Sequence, residues 1–382
     1  MPRNILISAG EASGDLYAAL LVEELRCRWP DARFFGCAGP RMRAAGVSTV
    51  VDASSLAVVG LVEVLEHIPR IYGEYRKLLA AASRTGPDLA ILTDSPDFHL
   101  RLARKLRRQG IPVVYLVAPQ VWAWRKGRLR EMRRTLRHLL CIFPFEEEFF
   151  QSRGMPATYI GHPLAGMVRP TLSREEFFRK HRFPLSRPLI SVLPGSRRGE
   201  AVRHLPPLLD AVERLYRDQA ASFILPASVT TGAGFFQERI GGAPIKVVDG
   251  ESWDSLAHSD LALAASGTVT VEAALLGTPM VTYYKVTTAS WLLGRMLVRV
   301  PFYSMVNLIA GRAVVPELMQ SAMTGAALAA EAQRLLRDGT ERARMRADLA
   351  EVAAKLGGYG RPMSRATAII QDLMEGQLAH VS

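Results

Sequence analysis

The chain has 382 residues, 49% hydrophobic and 22% charged, with a formal net charge of +12. At roughly 100–200 residues per domain that length predicts two domains, and the composition excludes a disordered chain. Three cysteines without CxxC spacing exclude a disulfide framework and a cysteine-held zinc, and no run of about eighteen apolar residues offers a membrane span.

The first apolar run, residues 4–8, predicts a strand. Glu11 and Asp15 follow too closely for a signal peptide, so a reducing cytoplasm is the expected compartment. The strand leads into Gly10-Glu11-Ala12-Ser13-Gly14-Asp15. Glycines allow a tight turn, Ser13 or Asp15 suits a helix cap, and backbone N–H groups at the helix start can hold an anion. Glu11 is a poor neighbour for phosphate and GxGxxG is absent, so this is no dinucleotide fingerprint; a plain strand-to-helix turn fits equally. A helix over 16–27 and a strand over 32–36 follow. The apolar stretch 56–68, with Val59, Leu61 and Leu65, reads as core or as a membrane-facing patch.

A strand over 89–93 ends in Asp94-Ser95-Pro96-Asp97-Phe98-His99 before a helix over 98–109. A carboxylate here can act as general base on a sugar hydroxyl; helix capping explains one of the two acids. Arg101 to Arg137 holds twelve Lys and Arg against the single acid Glu131, so this band carries nearly all the net charge. Such a band suits anionic headgroups or nucleic acid, and solvated charge is its plain alternative. Inside it, a strand over 113–117 leads to Trp122, Trp124 and Arg125, aromatic faces beside cations. Strands over 139–143 and 157–160 complete the first series.

The second series covers 189–193, 222–225, 246–248, 261–264 and 280–283, with helices between, and the tail from Ala322 is helical. Strands alternating with helices predict α/β architecture, two doubly wound parallel sheets. Ligands of such sheets sit beyond the carboxyl ends of the strands. There, Pro194-Gly195-Ser196-Arg197 opens a helix and suits a diphosphate, and Ser266-Gly267-Thr268 opens another with Glu272 one turn in, where a carboxylate can hold a ribose. Capped turns are the plain alternative for each. No Walker loop, HExxH or GxSxG occurs, so neither a zinc site nor a hydrolase elbow is expected.

Taken together, these loops closely resemble the lipid-A-disaccharide synthase family. The matching segments are GEASGD at 10–15, AGPRM at 38–42, GLVEVL at 60–65, SPDF at 95–98, residues 119–125, FPFE at 143–146, GHP at 161–163, LPGSR at 193–197, SGT with Glu272, and NLIAGR at 307–312. The resemblance implies a GT-B glycosyltransferase: two Rossmann-like domains facing a cleft, 1–165 for the acceptor and 166–340 for the UDP-sugar, with C-terminal helices, 341–382, packing on the first domain or on a partner subunit in an exchanged dimer. It implies transfer from UDP-2,3-diacylglucosamine to 2,3-diacylglucosamine 1-phosphate, without metal or other cofactor, at the cytoplasmic face of the inner membrane of Gram-negative bacteria, and no nucleic-acid partner.

On this resemblance Asp97 is the expected base, Glu11 its rival, and Arg197 the catalytic cation. Ser196, Arg197, Ser266, Gly267, Thr268, Glu272 and Asn307 are expected to hold UDP, with Arg312 also lining the cleft. Ser13, Gly14, His99, Trp122, Trp124, Arg125, Val59, Leu61 and Leu65 are expected to meet the acceptor lipid. His99 departs from the family's usual asparagine. Other UDP-sugar enzymes, such as a 2-epimerase, would share the second-domain turns; an RNA-binding protein would lack them.

Overall fold

The computed structural model describes residues 3–55, 61–123, 126–219, 221–288, 291, 294, 298, 300–358 and 360–376. It forms two compact units, one from residues 1–163 with 356–382, the other from 164–355.

The first unit carries a parallel seven-stranded sheet of β1 (Asn4–Ser8), β2 (Arg33–Ala38), β3 (Ser48–Asp52), β4 (Leu89–Thr93), β5 (Val113–Leu116), β6 (His138–Cys141) and β7 (Ala157–Tyr159). Their order is β3-β2-β1-β4-β5-β6-β7. The central strands are continuous apolar runs because helices cover both faces: Ile5, Leu6 and Ile7 have no exposed surface, and all of β4 is buried. Register brings Ile7 beside Gly36 and Ile91.

The second unit carries β8 (Leu189–Leu193), β9 (Ser222–Ala227), β10 (Lys246–Asp249), β11 (Leu261–Ala265), β12 (Met280–Tyr284) and β13 (Glu317–Met319), all parallel, in the order β10-β9-β8-β11-β12-β13. Two doubly wound sheets thus stand where the alternating pattern places them. The two strands absent from the sequence expectation, β3 and β13, are edge strands. β3 buries only Val51, and β13 has three residues, none of them buried, so neither shows an apolar run.

The helical tail divides at residue 356. Helix Gly339–Gly357 holds to the second sheet, where Met280 N donates to Met345 Sδ at 3.4 Å. Helix Pro362–Met374 returns to the first unit: Arg28 Nε donates to Gln371 Oε1 at 2.6 Å, and Ser364 Oγ to Glu24 Oε1 at 3.1 Å. Among the described residues, no helix is long and apolar enough to cross a membrane, and Cys27, Cys37 and Cys141 are free.

Candidate active site

In an open parallel sheet, the crevice for a ligand lies where the strand order reverses. The reversal falls between β1 and β4 in the first unit and between β8 and β11 in the second. The loops after those four strands are GEASGD, DSPDF, PGSR and SGT.

In the first unit the two loops lock together through Asp94. Its Oδ1 accepts from Gly10 N at 2.9 Å and its Oδ2 from Glu11 N at 3.0 Å. The backbone N–H groups that the sequence offers to an anion therefore hold the protein's own carboxylate. Asp94 and Ser95 adopt left-handed backbone, φ 53° and 37°, which turns the Asp94 side chain back toward β1. Burial raises the Asp94 pKa to about 7 against those two stabilising bonds. Gly14 is required by this approach, since a Cβ there would sit 1.7 Å from Asp94 Oδ2. Gly14→Ala is accordingly expected to destabilise the fold by about 1–3 kcal/mol, the cost of an overpacked buried site. Denaturant unfolding checks this; an unchanged midpoint would mean that Asp94 does not occupy this seat.

Around Asp94 the candidates sort by depth. Glu11 and Ser13 are exposed, and Gly14 is buried under Asp94. The Asp97 side chain is 66% exposed and pairs with Arg128. His99, expected to contact the acceptor, has no exposed surface. Its Nδ1 lies 3.0 Å from the Asp94 carbonyl oxygen, an acceptor, so Nδ1 carries the proton. Burial lowers its pKa to about 4, so the ring is neutral and Nε2 accepts from Ser8 Oγ at 2.7 Å. His99 is thus a strut under the DSPDF loop, not a substrate contact. Tyr115 donates from its hydroxyl to the same Asp94 carbonyl.

Asp15 does not cap its own helix. It accepts from Gly39 N, Arg41 N and Met42 N at 2.8, 2.9 and 3.2 Å, fastening the AGPRM segment to GEASGD. Trp122 is half-buried, its Nε1 donating at 3.1 Å to Glu146, whose pKa burial raises to about 8. Phe145 meets the indole edge-on at 5.0 Å, so FPFE is the wall that orients Trp122. Val59, Trp124 and Arg125 lie outside the described residues, as do the side chains of Leu61 and Leu65 at the start of helix Leu61–Thr85.

In the second unit the PGSR turn leaves β8 with Gly195 at φ 115°, a conformation that favours glycine, and opens helix Arg198–Gln219. Ser196 and Arg197 are exposed, and Arg197 Nη1 lies 3.8 Å from Glu200 Oε1. His204, absent from the sequence expectation, has no exposed surface and braces the turn. Its Nδ1 donates to Pro194 O at 2.8 Å and its Nε2 accepts from Lys285 N at 3.0 Å, a neutral tautomer consistent with its burial-lowered pKa. Tyr283 adds a bond to Leu193 O at 2.8 Å, and Tyr284 one to Glu200 Oε1 at 2.5 Å.

The SGT turn leaves the neighbouring strand β11. Both donors of Ser266 are committed, its N to Tyr283 O at 2.8 Å and its hydroxyl to Tyr303 O at 2.9 Å. A phosphate contact there falls to Gly267 and Thr268, which are exposed at the start of helix Thr268–Leu275. Glu272 is partly buried, and burial raises its pKa to about 7 against a hydrogen bond from Trp253.

Asn307 differs from its expected role. It is 1% exposed; Nδ2 donates to Val315 O at 2.9 Å and Glu317 Oε1 at 2.8 Å, and Oδ1 accepts from Val314 N and Val315 N at 2.7 and 3.0 Å. All four hydrogen-bonding positions of the amide are spent on folding the NLIAGR turn, leaving none for UDP. Arg312, the other cleft candidate, pairs with Asp348 at 2.6 Å and Glu351 at 3.1 Å on helix Gly339–Gly357.

A sequence profile described as lipid-A-disaccharide synthetase matches residues 5–368. A lipid-A-disaccharide synthase of Solibacter usitatus is 72% identical over 382 residues, covering 100% of both chains. One from Koribacter versatilis is 46% identical over 356 residues, 92% of this chain and 93% of that one. Among solved structures, the glycotransferase of kitacinnamycin superposes with a TM-score of 0.65 at 16% identity, covering 97% and 98% of the two chains. A UDP-GlcNAc 2-epimerase from Neisseria meningitidis, bound to UDP-GlcNAc, reaches 0.64 at 13% identity over 98% and 100%. At such identities the structures establish the GT-B fold alone.

Proposed function

The chain belongs to the lipid-A-disaccharide synthetase family, a glycosyltransferase family of lipid A biosynthesis, and from that premise we propose how its residues divide the work. The donor is UDP-2,3-diacylglucosamine and the acceptor 2,3-diacylglucosamine 1-phosphate. The acceptor 6-hydroxyl attacks C1 of the donor opposite UDP. The C1–oxygen bond to the diphosphate breaks with its electron pair leaving on UDP, a C1–O6 bond forms with inversion, and the hydroxyl proton passes to a carboxylate.

The observation that carries this reading is the placement of all four motif loops at the two switch points, carboxylates in one unit and cations with helix starts in the other. Arg197, Ser196, Gly267 and Thr268 hold the diphosphate and stabilise its departing charge, and Glu272 holds the ribose. In the first unit Asp94, Asp97 and Glu11 surround the acceptor hydroxyl. Asp94 is best matched to the proton transfer, because a base works best with a pKa near the operating pH and burial brings this one to about 7. Asp97 then orients Arg128, and Glu11 lines the mouth. Trp122 and the basic band face the lipid. The enzyme works as a peripheral protein on the cytoplasmic face of the inner membrane, against anionic lipid.

The test is incubation of purified protein with both substrates in detergent without added metal, followed by mass spectrometry. Tetra-acyl disaccharide 1-phosphate and UDP in equal amounts are expected. UDP-sugar converted to its epimer, or hydrolysed without disaccharide, would overturn the reading.

A further inference from the structure

The first unit holds a second concave feature, set within the basic band and lined by none of the four motif loops. A cavity of about 540 Å³ is lined by Arg104, Arg107, Arg108, Arg130, Glu131 and Arg134. Three of the arginines project from one face of helix Pro96–Arg108 at i, i+3 and i+4, and two from helix Leu129–Thr135 at i and i+4. Among the described lining residues the one acid, Glu131, sits 3.7 Å from Arg104. Among the described residues, Arg107, Arg108, Arg130 and Arg134 have no carboxylate within ion-pair distance. Five guanidiniums facing one hollow against a single carboxylate repel one another, and the arrangement is relieved by a compact polyanion.

We propose that this cavity is a binding site for a phosphomonoester or diphosphate group, presented by the headgroup of a membrane lipid. Guanidinium forks match phosphate oxygens in bidentate pairs, and converging forks reward several closely spaced oxygens over one diffuse charge. Among the described residues no aromatic side chain lines the cavity, so these residues offer a single-stranded nucleic acid no stacking platform. The cavity also adjoins the candidate site along the chain. Gly127 lines it, the next residue, Arg128, pairs with Asp97, and Arg104 follows Asp97 by seven residues, about 10 Å along one helix. A lipid phosphate seated here is held beside the loop that receives the acceptor. The lipid source rests on the membrane reading above; the phosphate chemistry of the cavity stands without it.

The experiment compares the full chain with an Arg107→Gln/Arg130→Gln/Arg134→Gln variant in two arms. The first is flotation with phosphatidylcholine vesicles carrying phosphatidate, or phosphatidylserine at matched surface charge. The second is the thermal shift produced by inorganic pyrophosphate. The unsubstituted protein is expected to prefer phosphatidate vesicles and to melt higher with pyrophosphate. The variant is expected to lose roughly a hundredfold in vesicle affinity, at about 1 kcal/mol per cation near a charged surface, together with the pyrophosphate shift. Loss of the pyrophosphate shift without any vesicle preference would keep the cavity and assign it a soluble phosphate. Equal binding to both vesicle types that the substitutions leave unchanged, or tighter binding to a single-stranded oligonucleotide, would overturn the proposal. Because the substitutions relieve repulsion, the variant is expected to fold; Arg130→Gln alone, with a proportionate loss, serves as the second reading. Neither arm measures glycosyl transfer, so failure here and failure of the transferase reading are separately visible.

Discussion

Asp94→Asn is expected to lower kcat by roughly 10²–10⁴, the range lost with a general base, while the protein remains folded. The aspartate is mostly buried, its side chain 12% exposed, and both oxygens accept backbone N–H groups from the opposite loop. Asparagine keeps one acceptor for Gly10 N but turns an NH₂ toward Glu11 N, so one bond is lost on an exposed residue, at about 0.5–1.5 kcal/mol. A melt lowered by that amount, without collapse of the fold, is the expected accompaniment. The pH profile separates chemistry from support. With its pKa raised to about 7, Asp94 is protonated below that pH and unable to take a proton. Activity should therefore rise with pH up to about 7 and level off above it. In Asp94→Asn this limb should vanish and leave a flat residual rate. If the variant keeps the limb at reduced height, Asp94 only positions the loops, and the base is Asp97 or Glu11. Asp97→Asn and Glu11→Gln then decide between them.

The residues that escape a reading of the sequence do so for identifiable reasons. Central strands such as β1, β4, β8 and β11 are buried on both faces, so they announce themselves as apolar runs; the edge strands β3 and β13 do not. Glycine turns are legible because few other residues tolerate them. Asp94 is visible as one of two acids, but its seat under the opposite loop depends on a contact spanning 84 residues, which spacing does not encode. His99 is a different case. It falls on the buried stripe His99, Leu102, Ala103 and Leu106 of its helix, at i, i+3, i+4 and i+7, and that periodicity marks it as a core histidine. Asn307 looks like a ligand because asparagine has free donors and acceptors on a loop; here Val314, Val315 and Glu317, seven to ten residues away, consume all of them. His204 lies two turns into a helix, and only the fold shows that its ring reaches both Pro194 and Lys285.

The second large effect is expected at Arg197. Arg197→Ala should lower kcat by roughly 10²–10³, corresponding to about 2.7–4 kcal/mol for one preorganised group facing developing charge. The cation is preorganised from below rather than by its own packing. Its side chain is 52% exposed, yet the turn that carries it is pinned by His204 at Pro194, by Tyr283 at Leu193 and by the left-handed Gly195. The 3.8 Å pair with Glu200 adds little to stability, since exposed ion pairs contribute about 0–1 kcal/mol. Glu200 also keeps its bond from Tyr284, so the alanine variant should melt close to the parent. Loss of turnover with retained stability is therefore the signature. Arg197→Lys should recover part of the rate, because an ammonium restores the charge but not the two parallel bonds of the guanidinium. A change confined to KM for the UDP-sugar would mean that Arg197 binds donor and transition state equally, and an unchanged kcat would remove it from stabilisation of the departing diphosphate.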